Sequence, residues 1–166
     1  MKKILFVSAA AVMLLAACGG KHEGGVSETT KKNLEVNAAI AKCFETKDFS
    51  KLGDYLSEEF VDYAGEMGPV KGVAANKAAF EKMMSTYDSA KTTTLRVMGD
   101  DEYVMALMEF SGVMKVDMMG MKAGQSFKTK AVEMTQFKDG KAIAHWTYME
   151  PAEMMKMMGG APPPNN

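Results

Sequence analysis

The sequence predicts an α+β domain in which helices come first and a strongly curved antiparallel sheet is built last. Three observations carry that prediction. Val36, Ala39, Ile40, Cys43 and Phe44 fall at helical spacing in the first half of the chain. After Asp88 the apolar pattern changes to a period of two. Near the C-terminus two apolar runs, Val132–Phe137 and Ala142–Met149, are separated by Lys138-Asp139-Gly140-Lys141, and Asp-Gly between two such runs is a strong hairpin signal because glycine tolerates positive φ.

The chain opens with Lys2-Lys3, an apolar run from Ile4 to Ala17 and Cys18-Gly19-Gly20, which reads as a secretory signal too short to span a membrane. Leu15-Ala16-Ala17-Cys18 has the form of a bacterial lipobox, so Cys18 is expected to be acylated and to become the mature N-terminus. Each buried methylene stabilises membrane attachment by about 0.8 kcal/mol, and several acyl chains together hold a protein firmly. The expected organisation is therefore a signal peptide over 1–17, a lipidated flexible spacer over 18–28, one domain over 29–158 and a disordered Pro-rich tail over 159–166. The expected location is the bacterial cell envelope, in the outer membrane in preference to the inner. His22 falls in the spacer and is read as solvated.

Charge and cysteine content exclude several classes. Without Lys2 and Lys3 there remain eighteen cations against twenty-one acids, a net charge near minus three, which argues against nucleic acid as a partner. With Cys18 acylated, Cys43 is the sole thiol, so no internal disulfide can form; it reads as a small buried residue. No cofactor is expected.

The elements follow in order. Residues 30–47 form a first helix, capped by Thr29 or Thr30. A short helix starts at Asp48, with Phe49, Leu52 and Leu56 on one stripe. Phe60 to Ala64 is a first strand, ended by the glycine and proline loop 65–69. Gly72 to Tyr87 is a third helix, with Val73, Phe80, Met83, Met84 and Tyr87 on its apolar face. Strands over 92–98, 103–116 and 125–138 lead into the final hairpin strand, and Pro151 opens a last short helix through Met158. The strand from Tyr103 is apolar on both faces, so both must be covered. A homodimer through the sheet would cover the second face, as would a thick core in a monomer.

Asp139-Gly140-Lys141-Ala142-Ile143, then His145-Trp146, then an acidic residue and a short helix ending in glycine resemble the end of the SnoaL-like branch of the NTF2-like superfamily. The likeness extends back to about Thr30 through the order of elements. It implies an NTF2-like cone, with N-terminal helices on the concave side of the sheet and a pocket between them for a small, mostly apolar molecule. Dimers through the sheet are frequent in that family.

Pocket chemistry must come from polar residues set among apolar ones. Ile143, His145, Thr147 and Met149 alternate onto one face of the last strand, and Ala142, Ala144, Trp146 and Tyr148 onto the other. Glu133, Glu109 and Asp62 interrupt apolar strands, and a carboxylate desolvated by such neighbours has its pKa raised and can act as acid or base with His145 as partner. The catalytic candidates are thus His145, Glu133, Glu109 and Asp62. The plainer reading turns the glutamates outward or pairs them with Lys128 or Lys130, and leaves His145 a structural hydrogen bond. Tyr63, Phe80, Met84, Met108, Phe110, His145, Trp146 and Thr147 are expected to line the ligand site. The resemblance implies an acid/base carboxylate, and many relatives have aspartate directly after the tryptophan, where this chain has Thr147.

Sixteen methionines remain outside the signal, clustered at Met83-Met84, Met105 to Met121 and Met154 to Met158. Thioethers suit Cu(I), but the doublets around Lys156 splay on a helix and no His or Cys reinforces them, so packing or pocket lining is the preferred reading and no metal site is expected. The sequence therefore favours a non-catalytic envelope lipoprotein that binds a small apolar ligand or a partner. An isomerase, cyclase or hydratase is the alternative, and Cu(I) binding a third. A carboxylate within a few ångströms of His145 at one cavity would favour the enzyme.

Overall fold

The computed structural model describes residues 25–65, 68–118 and 120–158; the expected signal peptide, Cys18 and the Pro-rich tail lie outside them. The elements run α1 (Glu28–Thr46), α2 (Leu52–Tyr55), β1 (Leu56–Asp62), β2 (Val70–Lys71), α3 (Val73–Ser85), β3 (Tyr87–Gly99), β4 (Tyr103–Met114), β5 (Ser126–Lys138), β6 (Lys141–Tyr148) and α4 (Pro151–Met157). No helix among the described residues is long and apolar enough to cross a membrane. The strand order is β2-β1-β6-β5-β4-β3. Every neighbouring pair is antiparallel except β1 with β6, which are parallel.

The cap of α1 is Ser27, not Thr29 or Thr30: its hydroxyl accepts from the Thr30 amide at 3.0 Å. Thr30 is instead committed to the turn between β3 and β4, donating its hydroxyl to Asp101 at 2.6 Å, and the Ser27 hydroxyl donates to the same carboxylate. Buried Asn33 donates to the Asp100 and Asp101 carbonyls at 3.3 and 3.1 Å. The first turns of α1 are thereby pinned to one end of the sheet. The helix expected from Asp48 starts only at Leu52, because the Asp48 carboxylate accepts from the Ser50 amide at 2.9 Å and holds a local turn. β1 begins before the expected Phe60, β3 begins at Tyr87 instead of Thr92, and β2 had no sequence signal beyond two residues.

The core sits between the helices and one face of the sheet. Cys43, Phe49, Leu52, Leu56, Phe60, Met84, Val104, Phe137 and Ala142 form one buried cluster. Each fully buried large aliphatic or aromatic side chain in it contributes about 1.5–3 kcal/mol. On β4, Val104, Ala106 and Met108 are buried and face this layer, whereas Met105 and Leu107 are exposed on the convex side. The two faces that looked alike in sequence are therefore unequal.

The final hairpin turns through Asp139 at φ 53° and Gly140 at φ 73°, the left-handed pair that an Asp-Gly turn requires. Beyond it the register slips. Phe137 lies opposite Ala142, but Gln136 lies opposite Ala144, so Ile143 is an extra residue in β6. That bulge brings Ala142 and His145 to the same, concave, face.

Candidate active site

His145 stands at the junction of three strands. β1 runs beside β6 with Asp62 in register with His145, and β5 runs on the other side with Thr135 opposite His145 and Glu133 opposite Thr147. Directly paired residues share a face, so Asp62, His145, Glu133 and Thr147 converge on the concave surface.

The imidazole bridges two carboxylates. Its Nδ1 lies 2.9 Å from Asp62 Oδ1 and its Nε2 lies 2.5 Å from Glu133 Oε2. Asp62 Oδ1 also accepts from the Ala64 amide at 2.9 Å, and the Thr147 hydroxyl donates to Glu133 Oε2 at 2.8 Å. The Asp62 side chain is 7% exposed, Glu133 20% and His145 22%, so the cluster is sheltered on one side and open on the other. Glu133 Oε1 takes no hydrogen bond among the described residues, and it is not one of the buried unsatisfied atoms. One oxygen of Glu133 is thus held and the other is free and accessible.

Burial alone would push the His145 pKa down. The hydrogen bonds to Asp62 and Glu133, with their charges, outweigh it and carry the pKa from 6.5 up to about 9. At neutral pH His145 is therefore an imidazolium that donates from both nitrogens. In that form the ring has no lone pair with which to act as a base.

The remaining sequence candidates separate. Glu109 pairs with Lys128 at 2.9 Å and lies opposite Lys130, on the convex face, away from His145. Trp146 follows His145 and so points to the convex side, where it stacks on Tyr63 with ring centroids 5.2 Å apart and planes 4° apart. Phe80 belongs to the aromatic packing of α1 and α3, 4.9 Å from Phe44 and 6.0 Å from Phe49. Met108 and Phe110 share the concave face with Ala131 and Thr129. On that face α4 folds back over β5, where Glu153 accepts from the Thr129 hydroxyl at 3.0 Å and the Lys130 amide at 3.1 Å. Met84 is part of the core and lines a cavity of about 350 Å³ with Lys47, Phe49, Glu81 and Lys115. A second cavity, of about 230 Å³, lies beside Cys43, whose thiol pKa is pushed up first by burial and then by Asp48.

Both cavities lie apart from His145. Tyr87, on the rim of the larger one, opens β3 opposite Met114, whereas the row through His145 and Thr135 crosses Val104 and Gly99 at the far end of that strand. The eight expected lining residues therefore do not enclose one space. Sequence reasoning named Asp62, Glu133 and Glu109 alike as partners for His145 and could not choose among them, because the Asp62 pairing depends on a parallel contact between segments 83 residues apart; it did not find the part of Thr147, which donates to Glu133. Among the described residues no group of three or more His, Cys, Asp or Glu could hold a metal ion.

Helices over the concave side of a curved six-stranded sheet, with a titratable cluster on that side, define the NTF2-like plan. The chain belongs to the SnoaL-like polyketide cyclase family, whose model matches residues 34–157. Solved structures agree in fold. A SnoaL-like protein of Jannaschia sp. CCS1 superposes with a TM-score of 0.71 at 13% identity, covering 83% of this chain and 99% of that one. TsrD of Streptomyces laurentii superposes at 0.67 with 19% identity, covering 81% and 98%. A Mycobacterium tuberculosis LEH-like epoxide hydrolase superposes at 0.65 with 12% identity, covering 80% and 88%. A search of curated proteins finds no match.

Proposed function

We propose that this domain is an acid/base enzyme of the isomerase, cyclase or hydratase kind, acting by proton transfer on a small, mostly apolar molecule. One observation carries the reading: Asp62, His145 and Glu133 form a hydrogen-bonded chain on the concave face, with Glu133 Oε1 left free. In this scheme Glu133 accepts the substrate proton. His145 holds the other Glu133 oxygen and supplies positive charge beside the charge that develops, and Asp62 keeps the ring protonated and oriented. Thr147 adds a second donor to the same oxygen. The cluster carries two carboxylates and one imidazolium, which favours a neutral substrate over an anion.

The sequence reading preferred a non-catalytic binder; neither cavity reaches His145, but the two carboxylates in contact with its ring and the free Glu133 oxygen move the preference toward chemistry. The test uses a probe that needs only a positioned base, 5-nitrobenzisoxazole, whose ring opens when a carboxylate removes its C–H proton. The full chain should open it faster than acetate at equal concentration and pH, and Glu133→Gln should abolish the excess. A Glu133→Gln rate equal to the parent's would overturn the assignment. Native mass spectrometry tests the second reading, supported by the 350 Å³ cavity with Phe49 and Met84 in its wall: an organic mass that copurifies and survives in Glu133→Gln favours a carrier. We propose further that Cys18 anchors the protein to the cell envelope. Cys18→Ala should move it from the membrane to the soluble fraction.

A further inference from the structure

We infer that the convex face of the sheet carries a binding site for a soft monovalent cation of the Cu(I) class, with Met105 and Met134 as the ligands and Trp146 and Met98 on either side. The strand register assembles it. Met98 on β3 lies opposite Met105 on β4, Met105 opposite Met134 on β5, and Met134 opposite Trp146 on β6. These four residues therefore form one row across four strands, on the side away from His145.

Directly opposed side chains on one sheet face have Cβ atoms about 4.5–5.5 Å apart, which lets two flexible thioethers close on a single ion from opposite sides. A convex surface fans longer rows outward, so the adjacent pair is the natural ligand set and Met98 a neighbour. Thioether sulfur matches Cu(I) in softness. The indole of Trp146 is braced by Tyr63, and the face of an indole attracts cations. The row is reachable, since Met98 is 67% and Met105 39% exposed. No acid or amine interrupts it. Arg96, in the next row opposite Leu107, donates to the Leu95 carbonyl.

Scanning for methionines close together in sequence misses this site, because its two donors come from different strands, at positions 105 and 134. The pairs Met83-Met84 and Met154-Met155 supply an internal contrast: they are adjacent in sequence but belong to single helices.

Trp146 is the only tryptophan in the chain, so its emission reports on this row alone. The experiment titrates silver(I), a redox-inert stand-in for Cu(I), into the full chain in mild detergent. Cys18→Ala and Cys43→Ala are included so that no thiol competes. A saturable change in Trp146 emission at one ion per chain is expected. It should weaken at least tenfold in Met105→Leu and in Met105→Leu/Met134→Leu, which preserve volume and hydrophobicity, and persist in Met154→Leu/Met155→Leu. An unchanged response in both Met105 variants would overturn the inference. So would a parent that does not respond, including one whose convex face is hidden in a symmetric dimer.

Discussion

The raised pKa of His145 makes a quantitative statement about stability. Its imidazole titrates at about 9 in the fold against 6.5 when free. At roughly 1.4 kcal/mol for each pH unit, that gap is worth about 3 kcal/mol of stability. The sign follows from which state holds the proton more tightly. Below pH 6.5 the ring is protonated whether folded or unfolded, and the full contribution is present. Between 6.5 and 9 the unfolded chain sheds the proton first and the contribution declines, and above 9 it is gone. Asp62→Asn keeps the shape of the side chain and an acceptor for Nδ1 but removes one of the two flanking charges, so the pKa should fall and the alkaline loss should shrink. Urea unfolding at pH 6 and pH 9.5, measured on the parent, Asp62→Asn and His145→Gln, isolates the effect from other groups that titrate in the same window. Proton NMR adds a direct reading, since the chain has only two histidines and the signal absent from His145→Gln is the one to follow. A parent whose unfolding free energy relative to His145→Gln is the same at both pH values would refute the ionic bridge, as would a His145 resonance that titrates near 6.5.

Other consequences are narrower. Thr147→Val removes a donor from Glu133 Oε2, and since a hydrogen bond to a charged group contributes about 1.5–3 kcal/mol, urea unfolding should show a loss of stability of that order while the fold persists by circular dichroism. Glu109→Gln breaks only a surface pair with Lys128, so it should change stability by less than about 1 kcal/mol and leave the opening rate of 5-nitrobenzisoxazole untouched. Leu52→Ala empties a fully buried position in the core and should cost about 2–5 kcal/mol in urea unfolding. Deletion of Ile143 removes the extra residue of β6 yet leaves His145 opposite Thr135, so the high-titrating histidine signal should survive; its loss would show that the bulge's bend, beyond its register, builds the site.

Much of the fold could be read from local pattern. The Asp139-Gly140 turn, the alternation along β4 and β5 and the amphipathic spacing of α1 are short-range signals, and each element appears within a few residues of its expected span. Errors arose where a side chain answered to something distant. Thr30 looked like a cap but is drawn to Asp101, 71 residues away. The two apolar faces of β4 looked equivalent, yet only contacts with the helices decide that Val104 is buried and Met105 exposed. The site was half legible in the same sense. His145, Glu133 and Asp62 all stood out as polar groups within apolar strands, while Glu109 stood out for the same reason and lies on the other face.

The step that sequence could not supply is a matter of counting. Carried straight back from the two-residue turn, with Lys138 opposite Lys141, an unbroken ladder sets Met134 against His145 and Glu133 against Trp146. In that register His145 would share a face with Met134, and Glu133 would point away from it. One extra residue at Ile143 reverses this, placing Glu133 opposite Thr147 and within 2.5 Å of the ring, and leaving Met134 to pair with Trp146 on the back. The same slip therefore creates both the charged cluster on the concave face and the methionine and tryptophan row on the convex one. A bulge has no compositional signature comparable to Asp-Gly, since any residue can be the extra one, and its position is chosen by what the two faces must meet. Here the concave face meets Asp62 from a parallel strand, and the slip sets His145 between that carboxylate and Glu133, which a straight ladder would keep on opposite faces.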